Sequence, residues 1–338
     1  MNTRCNRLEL DKGTKMNSEE KTNNTYEQID TSSRRSLKSC IAASWKLLTD
    51  SPKLYLKTLW LGTAIGGIGL ALTAYCASTL WAGLAAPYSL YVKSGIPEKE
   101  AATMITPSIT AWITAIAGIV ALLIGICTFK GKLWTFIRKA TGLEQGEKSK
   151  KCRHAFAIRK PELTTGLRAV AIDVVFGILS VLIFSATFIA ATHTSIWLLL
   201  ILIPIFIYLY IIYIVYSVEI LAYRAKAFPA LKYSLSLGNR RFGGLLFVTA
   251  LPAIPTAILS AAVCLPVVVM SFAISANAAS VLTGEAYGLP ALFPALYIIV
   301  SAIAFTAASA IMSLNAWPVT LKVASEKVKQ HTTPEGQD

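Results

Sequence analysis

One carboxylate stands in the apolar stretch RAVAIDVVFGILSVLIF, which runs from Arg168 to Phe184. Asp173 is the single acidic residue of that stretch. A charged side chain inside a bilayer is costly, so such residues are rare and mark ion pairs, transport pathways or binding sites. Glu219 and Arg224 form a second charged group at the end of another apolar run. These groups therefore either act within a membrane or lie at its edge.

The position of these residues along their helices favours the membrane edge. Arg168 lies five residues before Asp173, which is about 7–8 Å along a helix axis. Glu219 is near the end of a run that returns to the same side, and Arg224 follows it. We expect all four side chains at one depth, where they form a ring of paired interfacial charge. The alternative is a polar vestibule that binds a cation, a headgroup or a protein partner.

Tyrosines precede Glu219 in the same run, at positions 208, 210, 213 and 216. Tyr213 and Tyr216 share a helix face with Glu219, because they lie six and three residues before it. We favour a packed interface in which the hydroxyl groups bond to neighbouring backbone. The alternative is a polar crevice that leads to the carboxylate.

The elements that must position these groups are membrane-spanning helices. Hydrophobic residues make up 54% of the 338 residues, and they are concentrated in long runs. About 20 apolar residues of helix cross the apolar layer of a bilayer. Six runs are long enough, at 57–80, 109–129, 169–190, 196–221, 244–274 and 291–314. The predicted fold is an all-α integral membrane protein with six transmembrane helices in three hairpins.

Positive charge orients the predicted spans. If the N-terminus is cytoplasmic, 30 of the 32 Lys and Arg residues lie on the inner side, and Lys93 and Lys99 lie outside. Loops rich in Lys and Arg remain in the cytoplasm. Both termini are therefore predicted to be cytoplasmic, in a multi-pass protein of the inner (plasma) membrane. The net charge of +14 then reflects topology and contact with anionic lipid rather than nucleic-acid binding.

The charge pattern also divides the chain into segments. Residues 1–35 are predicted to be a disordered cytoplasmic tail, and residues 326–338 a second one. Residues 36–325 form the six-helix transmembrane domain, which contains a basic cytoplasmic loop at 130–168. A short amphipathic helix from Ser36 is predicted to lie in the inner headgroup layer, before the first span.

Glycine and proline predict how the spans pack. Gly62 and Gly66 form a GxxxG pair in the first span, which allows another backbone to approach closely. Pro252, Pro255 and Pro266 lie in the fifth span. Each proline removes a helix hydrogen bond, so this helix is predicted to be kinked or split. Split helices form the binding sites of many transporters.

Catalytic motifs are missing from the sequence. It contains no GxSxG, no HExxH and no glycine-rich phosphate loop before a lysine. The segments between the spans are too short for a catalytic domain, and no Cys and His spacing fits zinc. We therefore predict no catalytic residue, no cofactor and no metal. A membrane-embedded enzyme is a third hypothesis, after an accessory protein and a transporter.

The stretch ALKYSLSLGNRRFGGLLFV, from Ala230 to Val248, places Ser and Leu before basic residues and an apolar entry. In this pattern residues 36–325 resemble uncharacterised bacterial polytopic membrane proteins that are similar to the membrane domain of glycerophosphoryl diester phosphodiesterases. The soluble catalytic domain of those enzymes has no counterpart in this sequence. The resemblance therefore implies a membrane module and brings no catalytic residues.

The predicted function is that of a non-catalytic membrane scaffold or accessory protein. Its partners would be anionic lipid headgroups at the cytoplasmic face, another membrane protein or a second copy of the chain. Its polar contacts are predicted at Arg168, Asp173, Glu219 and Arg224. The alternative is a small-solute transporter whose site lies at the proline-rich fifth span.

Overall fold

A computed structural model describes residues 35–50, 56–76, 109–141, 143, 160–193, 196–282, 289–290 and 292–332. The described residues form helices joined by turns, and no strand occurs among them. Six helical segments in this part of the chain are long and apolar enough to cross a membrane. The structure thus supports the all-α, six-span membrane fold that the hydrophobic runs predict.

Eight α-helices follow one another along the described chain. They are α1 (Leu37–Asp50), α2 (Leu56–Cys76), α3 (Ile109–Ala140), α4 (Lys160–His193), α5 (Leu202–Leu221), α6 (Ala227–Leu282), α7 (Phe293–Ser313) and α8 (Ala316–Thr332). A 3-10 helix at Ile196–Ile201 leads into α5. The predicted amphipathic helix is α1, in which Cys40 and Ser44 are buried while Trp45 is exposed.

The described ends of the basic loop predicted at 130–168 are helical, so that prediction is wrong at both ends, while residues 144–159 lie outside the described part. Helix α3 continues to Ala140 and α4 begins at Lys160, and both flanks of the predicted loop belong to these helices. Close packing stabilises the extensions, because a Cβ on Gly131 or Gly166 would overlap backbone atoms of the other helix. The basic side chains of the two helical flanks, such as Lys130 and Arg168, therefore belong to packed helices.

The structure bears differently on the two segments that were predicted to be disordered tails. Of residues 1–35 only Arg35 lies within the described part, and its backbone N–H donates to Ser325 Oγ at 2.9 Å. The tail predicted at 326–338 begins as helix, since α8 continues to Thr332. Buried apolar side chains along α8 explain this, because tertiary packing stabilises a helix of modest intrinsic propensity.

The spans contact one another in chain order, from α3 to α4, α5, α6 and α7. The first span, α2, also contacts the last one, because a Cβ on Gly67 would lie 2.6 Å from Ala302 Cα of α7. Contacts between α3 and α4 are more extensive than those between α4 and α5. Neighbours from different predicted hairpins are thus as close as partners within one, and the three-hairpin repeat stays a prediction.

Glycines determine how closely the backbones of α2 and α3 approach each other. A Cβ on Gly62 would lie 2.5 Å from the backbone N of Phe129 and 2.8 Å from its Cα. A Cβ on Gly125 would overlap the backbone of Gly66. The two backbones touch where no side chain separates them, so the close approach predicted from the GxxxG pair is confirmed.

Pro252, Pro255 and Pro266 do not split α6, and a kink at these residues stays a prediction. The dihedral angles of α6 are helical at all three prolines, and the single non-helical residue inside α6 is Arg241 (φ −128°, ψ 26°). Membrane helices tolerate proline where nearby side chains and packed helices satisfy the freed backbone groups.

Replacing Gly62 with leucine is expected to destabilise the bundle, because the new side chain would overlap the α3 backbone. Overpacking of this kind lowers the free energy of unfolding by about 1–3 kcal/mol. The measurement is the thermal midpoint of the purified protein in detergent. Gly243→Leu is the matched control, since a Cβ on Gly243 meets nothing within 4 Å. Equal midpoints for the two variants would contradict this packing.

Candidate functional site

Two of the predicted contact residues, Arg168 and Arg224, line one cavity of about 220 Å³. A third arginine, Arg138 from the last turn of α3, lines the same cavity. Thr164 and Thr165 of α4 contribute the hydroxyl groups of its wall. We call this site the arginine cavity and the end of the bundle that holds it the charged end. Three elements, α3, α4 and the segment after α5, each contribute one arginine to its lining.

Local structure fixes two of these arginines firmly. Arg138 is only 4% exposed, and its Nη2 donates to Thr135 Oγ1 at 3.1 Å. Arg224 has a φ of 55°, in the left-handed region that residues other than glycine rarely adopt. This turn ends α5, and the N–H of Ala225 donates to the carbonyl of Glu219 at 3.0 Å. Backbone strain of about 1–3 kcal/mol at a non-glycine residue often accompanies a functional position.

The charge of the arginine cavity suits an anion. Guanidinium groups remain protonated at any physiological pH, and their planar N–H donors match the oxygens of phosphate and carboxylate groups. Thr164 and Thr165 both donate their hydroxyls to the Pro161 carbonyl, at 3.1 Å and 2.7 Å. Both threonine hydroxyls are therefore engaged within α4, and the arginines supply the positive charge of the wall.

Asp173 lies outside the arginine cavity. Its carboxylate forms an ion pair with Lys130 of α3 and accepts a hydrogen bond from the Tyr213 hydroxyl of α5 at 2.6 Å. Three consecutive spans thus meet at one carboxylate. Asp173 also lines a second cavity, of about 530 Å³, between α4 and α5. We call this cavity the α4–α5 crevice; its lining includes Asp173, Phe176, Gly177, Ser180, Tyr210 and Tyr213.

Glu219 belongs to a third place, at the contact of α5 with α8. Its side chain is 4% exposed, and it accepts a hydrogen bond from Lys327 Nζ at 2.8 Å. The same ammonium lies 3.6 Å from the ring centroid of Tyr223 and 5.1 Å from that of Tyr233. Burial raises the pKa of the Tyr223 hydroxyl, and the nearby Glu219 raises it further, so this phenol stays neutral. These contacts anchor α8 to the bundle.

A neighbouring ion pair joins α8 to α6. Glu326 pairs with Lys322 one turn earlier on α8 and with Arg241 of α6, at 3.4 Å from Nε. Arg241 is also the residue at which α6 departs from helical dihedral angles. The interruption of α6 therefore coincides with an ion pair to α8 rather than with a proline.

The structure divides the predicted four-residue site into three. It brings Arg168 and Arg224 together, while Asp173 pairs with Lys130 and Glu219 pairs with Lys327. The two carboxylates do not pair with each other. Within the described ranges, no three His, Cys, Asp or Glu side chains are grouped so as to hold a metal ion.

Sequence reasoning missed three functional residues, because it placed them outside the helices. Lys130 and Arg138 were assigned to a loop, and Lys327 to a disordered tail. The signal that could have found the first two is LWTFI at 133–137, whose apolar residues continue the helix of the second span. Lys327 is identified only by its tertiary contact with Glu219, and no local sequence pattern indicates that contact.

Replacing Lys327 with methionine should destabilise the protein, because it leaves the buried Glu219 carboxylate without its ammonium partner. The expected loss is about 3 kcal/mol in the free energy of unfolding, measured by denaturant titration in detergent. Removing the charge of both residues, as in Glu219→Gln with Lys327→Met, should restore part of it. Lys232→Met, at an exposed lysine of α6, is the control. Equal losses in the single and double variants would contradict the buried pair.

Comparisons with known proteins add no assignment to this site. No protein-family model matches the chain, and neither curated proteins nor solved structures contain a significant match. Function must therefore be inferred from the charged end itself.

Proposed function

We propose that this chain is a non-catalytic membrane accessory protein that binds the phosphate groups of anionic lipids at its charged end. The arginine cavity is the observation that carries the proposal. Arg138, Arg168 and Arg224 come from three different elements and converge on a space of about 220 Å³. Basic residues that served only to orient the spans, as the positive-inside rule describes, would not need to lie around one cavity.

The chemistry of the cavity favours a phosphate over other anions of the membrane surface. Arginine binds phosphate through two parallel N–H···O bonds, and several guanidinium groups can share one phosphate. The burial of Arg138 strengthens such a contact, because the interaction is screened less than at an exposed site. Anionic lipids supply phosphates at the depth where an apolar span meets water.

The position of the cavity along α4 agrees with that depth. Arg168 is about 7–8 Å nearer the charged end than Asp173, as the helical rise requires. Beyond Asp173, apolar side chains of α4 such as Val175 and Ile178 are more than half exposed on the bundle surface. These side chains suit contact with lipid chains, whereas the arginine cavity lies at the boundary where headgroups are found.

The proposed location is the inner (plasma) membrane, with the charged end and both termini in the cytoplasm. The support is the distribution of 30 of the 32 basic residues on that side. The small-solute transporter stays the alternative, and we place it second because α6 has helical dihedral angles at Pro252, Pro255 and Pro266. The resemblance to the phosphodiesterase membrane domain stays a prediction.

Orientation can be measured with single cysteines in a variant that lacks the six native ones. We expect Lys93→Cys to react with a membrane-impermeant maleimide in intact bacterial cells. Lys148→Cys should react only after permeabilisation, because the positive-inside rule keeps the segment from 130 to 168 in the cytoplasm. Labelling of Lys148→Cys in intact cells, with Lys93→Cys protected, would reverse the proposed topology.

Lipid binding tests the function directly. The full chain in nanodiscs of phosphatidylcholine should retain added phosphatidylglycerol or phosphatidic acid in native mass spectrometry. Arg168→Gln with Arg224→Gln should weaken this retention by at least about tenfold, since a hydrogen bond to a charged group contributes about 1.5–3 kcal/mol. Arg240→Gln removes an exposed arginine of α6 that does not line the cavity, and it should have little effect. Equal losses in both variants would indicate nonspecific attraction and sink the proposal.

A further inference from the structure

We propose that the α4–α5 crevice is a second lipid site, which takes an uncharged lipid with a hydroxyl head, such as a diacylglycerol. The hydroxyl would bond to Asp173 and Tyr210, and one acyl chain would lie along the apolar wall. This site is separate from the arginine cavity, which is proposed for phosphate. The inference depends on the shape, the polar groups and the charge balance of the crevice.

The shape suits one part of a small amphipathic molecule. The volume of about 530 Å³ falls within the range of about 300–1,000 Å³ that is usual for small-molecule sites. Asp173, Phe176, Gly177 and Ser180 line it from one face of α4 over eight residues, which is about 10 Å of helix. At Gly177 this wall has a gap, because a Cβ there would meet nothing within 4 Å.

The carboxylate and its neighbouring phenols lie toward one end of the crevice, while the Ser180 hydroxyl farther along α4 donates to the Phe176 carbonyl. The Tyr213 hydroxyl donates to Asp173 Oδ1, and the Tyr210 ring stacks on Tyr213 with centroids 6.2 Å apart. Phe206 and Ile207 continue the wall as apolar surface away from the carboxylate. The crevice therefore presents hydrogen-bonding groups for a head and hydrocarbon for a tail.

The charges of the crevice select an uncharged head. Lys130 pairs with Asp173, so the two groups together carry no net charge. An anionic head would be repelled by Asp173 and a cationic head by Lys130, and either would lose its hydration without a free counter-charge. A hydroxyl can donate to the carboxylate and accept from a phenol, so it uses both polar groups without adding a charge.

The ligand would enter from the bilayer. Gly177 is exposed, and Tyr210 is 46% exposed on the outer surface of the bundle. The residues beside Gly177 on α4, including Val174 and Ile178, are exposed and apolar. The mouth of the crevice is therefore surrounded by surface that suits lipid chains, and a water-soluble ligand would have no favourable path to it.

The test uses the full chain in phosphatidylcholine nanodiscs with a photoreactive, alkyne-bearing diacylglycerol. We expect crosslinks in peptides that contain 173–180 or 206–213, which excess unlabelled diacylglycerol should compete away. Gly177→Leu should reduce the crosslinks to background, because its side chain would fill the crevice. Gly243→Leu, also at an open glycine but outside the crevice, should crosslink like the unmodified protein.

A second variant covers the case in which Gly177→Leu disturbs the fold. Tyr210→Phe keeps the ring and removes the hydroxyl, and it should lower crosslinking about fivefold, as expected for one lost hydrogen bond. Crosslinking unchanged in both variants would overturn the proposal. Equal labelling of the same peptides by a photoreactive phosphatidic acid, or equal competition by a diacylglycerol methyl ether, would overturn it as well, since neither result requires a hydroxyl site.

Discussion

A carboxylate inside a membrane span must have a cation beside it, and this requirement organises the charged end of the bundle. Asp173 on α4 forms an ion pair with Lys130 of α3, and Glu219 on α5 forms one with Lys327 of α8. A buried acid that loses its partner is strongly destabilising, whereas the pair itself adds little net stability. The ion pairs therefore act mainly to fix which helices meet and in what register. They use lysines for this purpose, while the arginines converge on a separate cavity.

Close packing of backbones makes this arrangement possible. Gly131 and Gly166 let α3 and α4 stay in contact beyond the apolar part of their spans, so both remain helical where a loop was expected. Arg138 reaches the arginine cavity only because α3 continues that far. The same extension carries Lys130 alongside Asp173. The grouping of these charged side chains is thus a consequence of helix packing at this end of the bundle.

The sequence predicts the spans well, because hydropathy and bilayer thickness together determine where apolar helices occur. It also predicts that Arg168 and Arg224 lie at one depth. It does not predict the ends of α3, α4 and α8, since these depend on tertiary contacts that hydropathy does not record. The sequence alone does not determine whether α6 is split at its prolines for a similar reason, because neighbouring groups decide whether a proline interrupts a helix. Partners for Asp173 and Glu219 lay in segments that looked unstructured.

The central claim is that a lipid phosphate occupies the arginine cavity. The most direct measurement is a cryo-EM map of the full chain in nanodiscs that contain phosphatidylglycerol. We predict phosphate density within hydrogen-bond distance of the guanidinium groups of Arg138, Arg168 and Arg224. A cavity filled by a carboxylate of the chain itself, or by water alone, would contradict it.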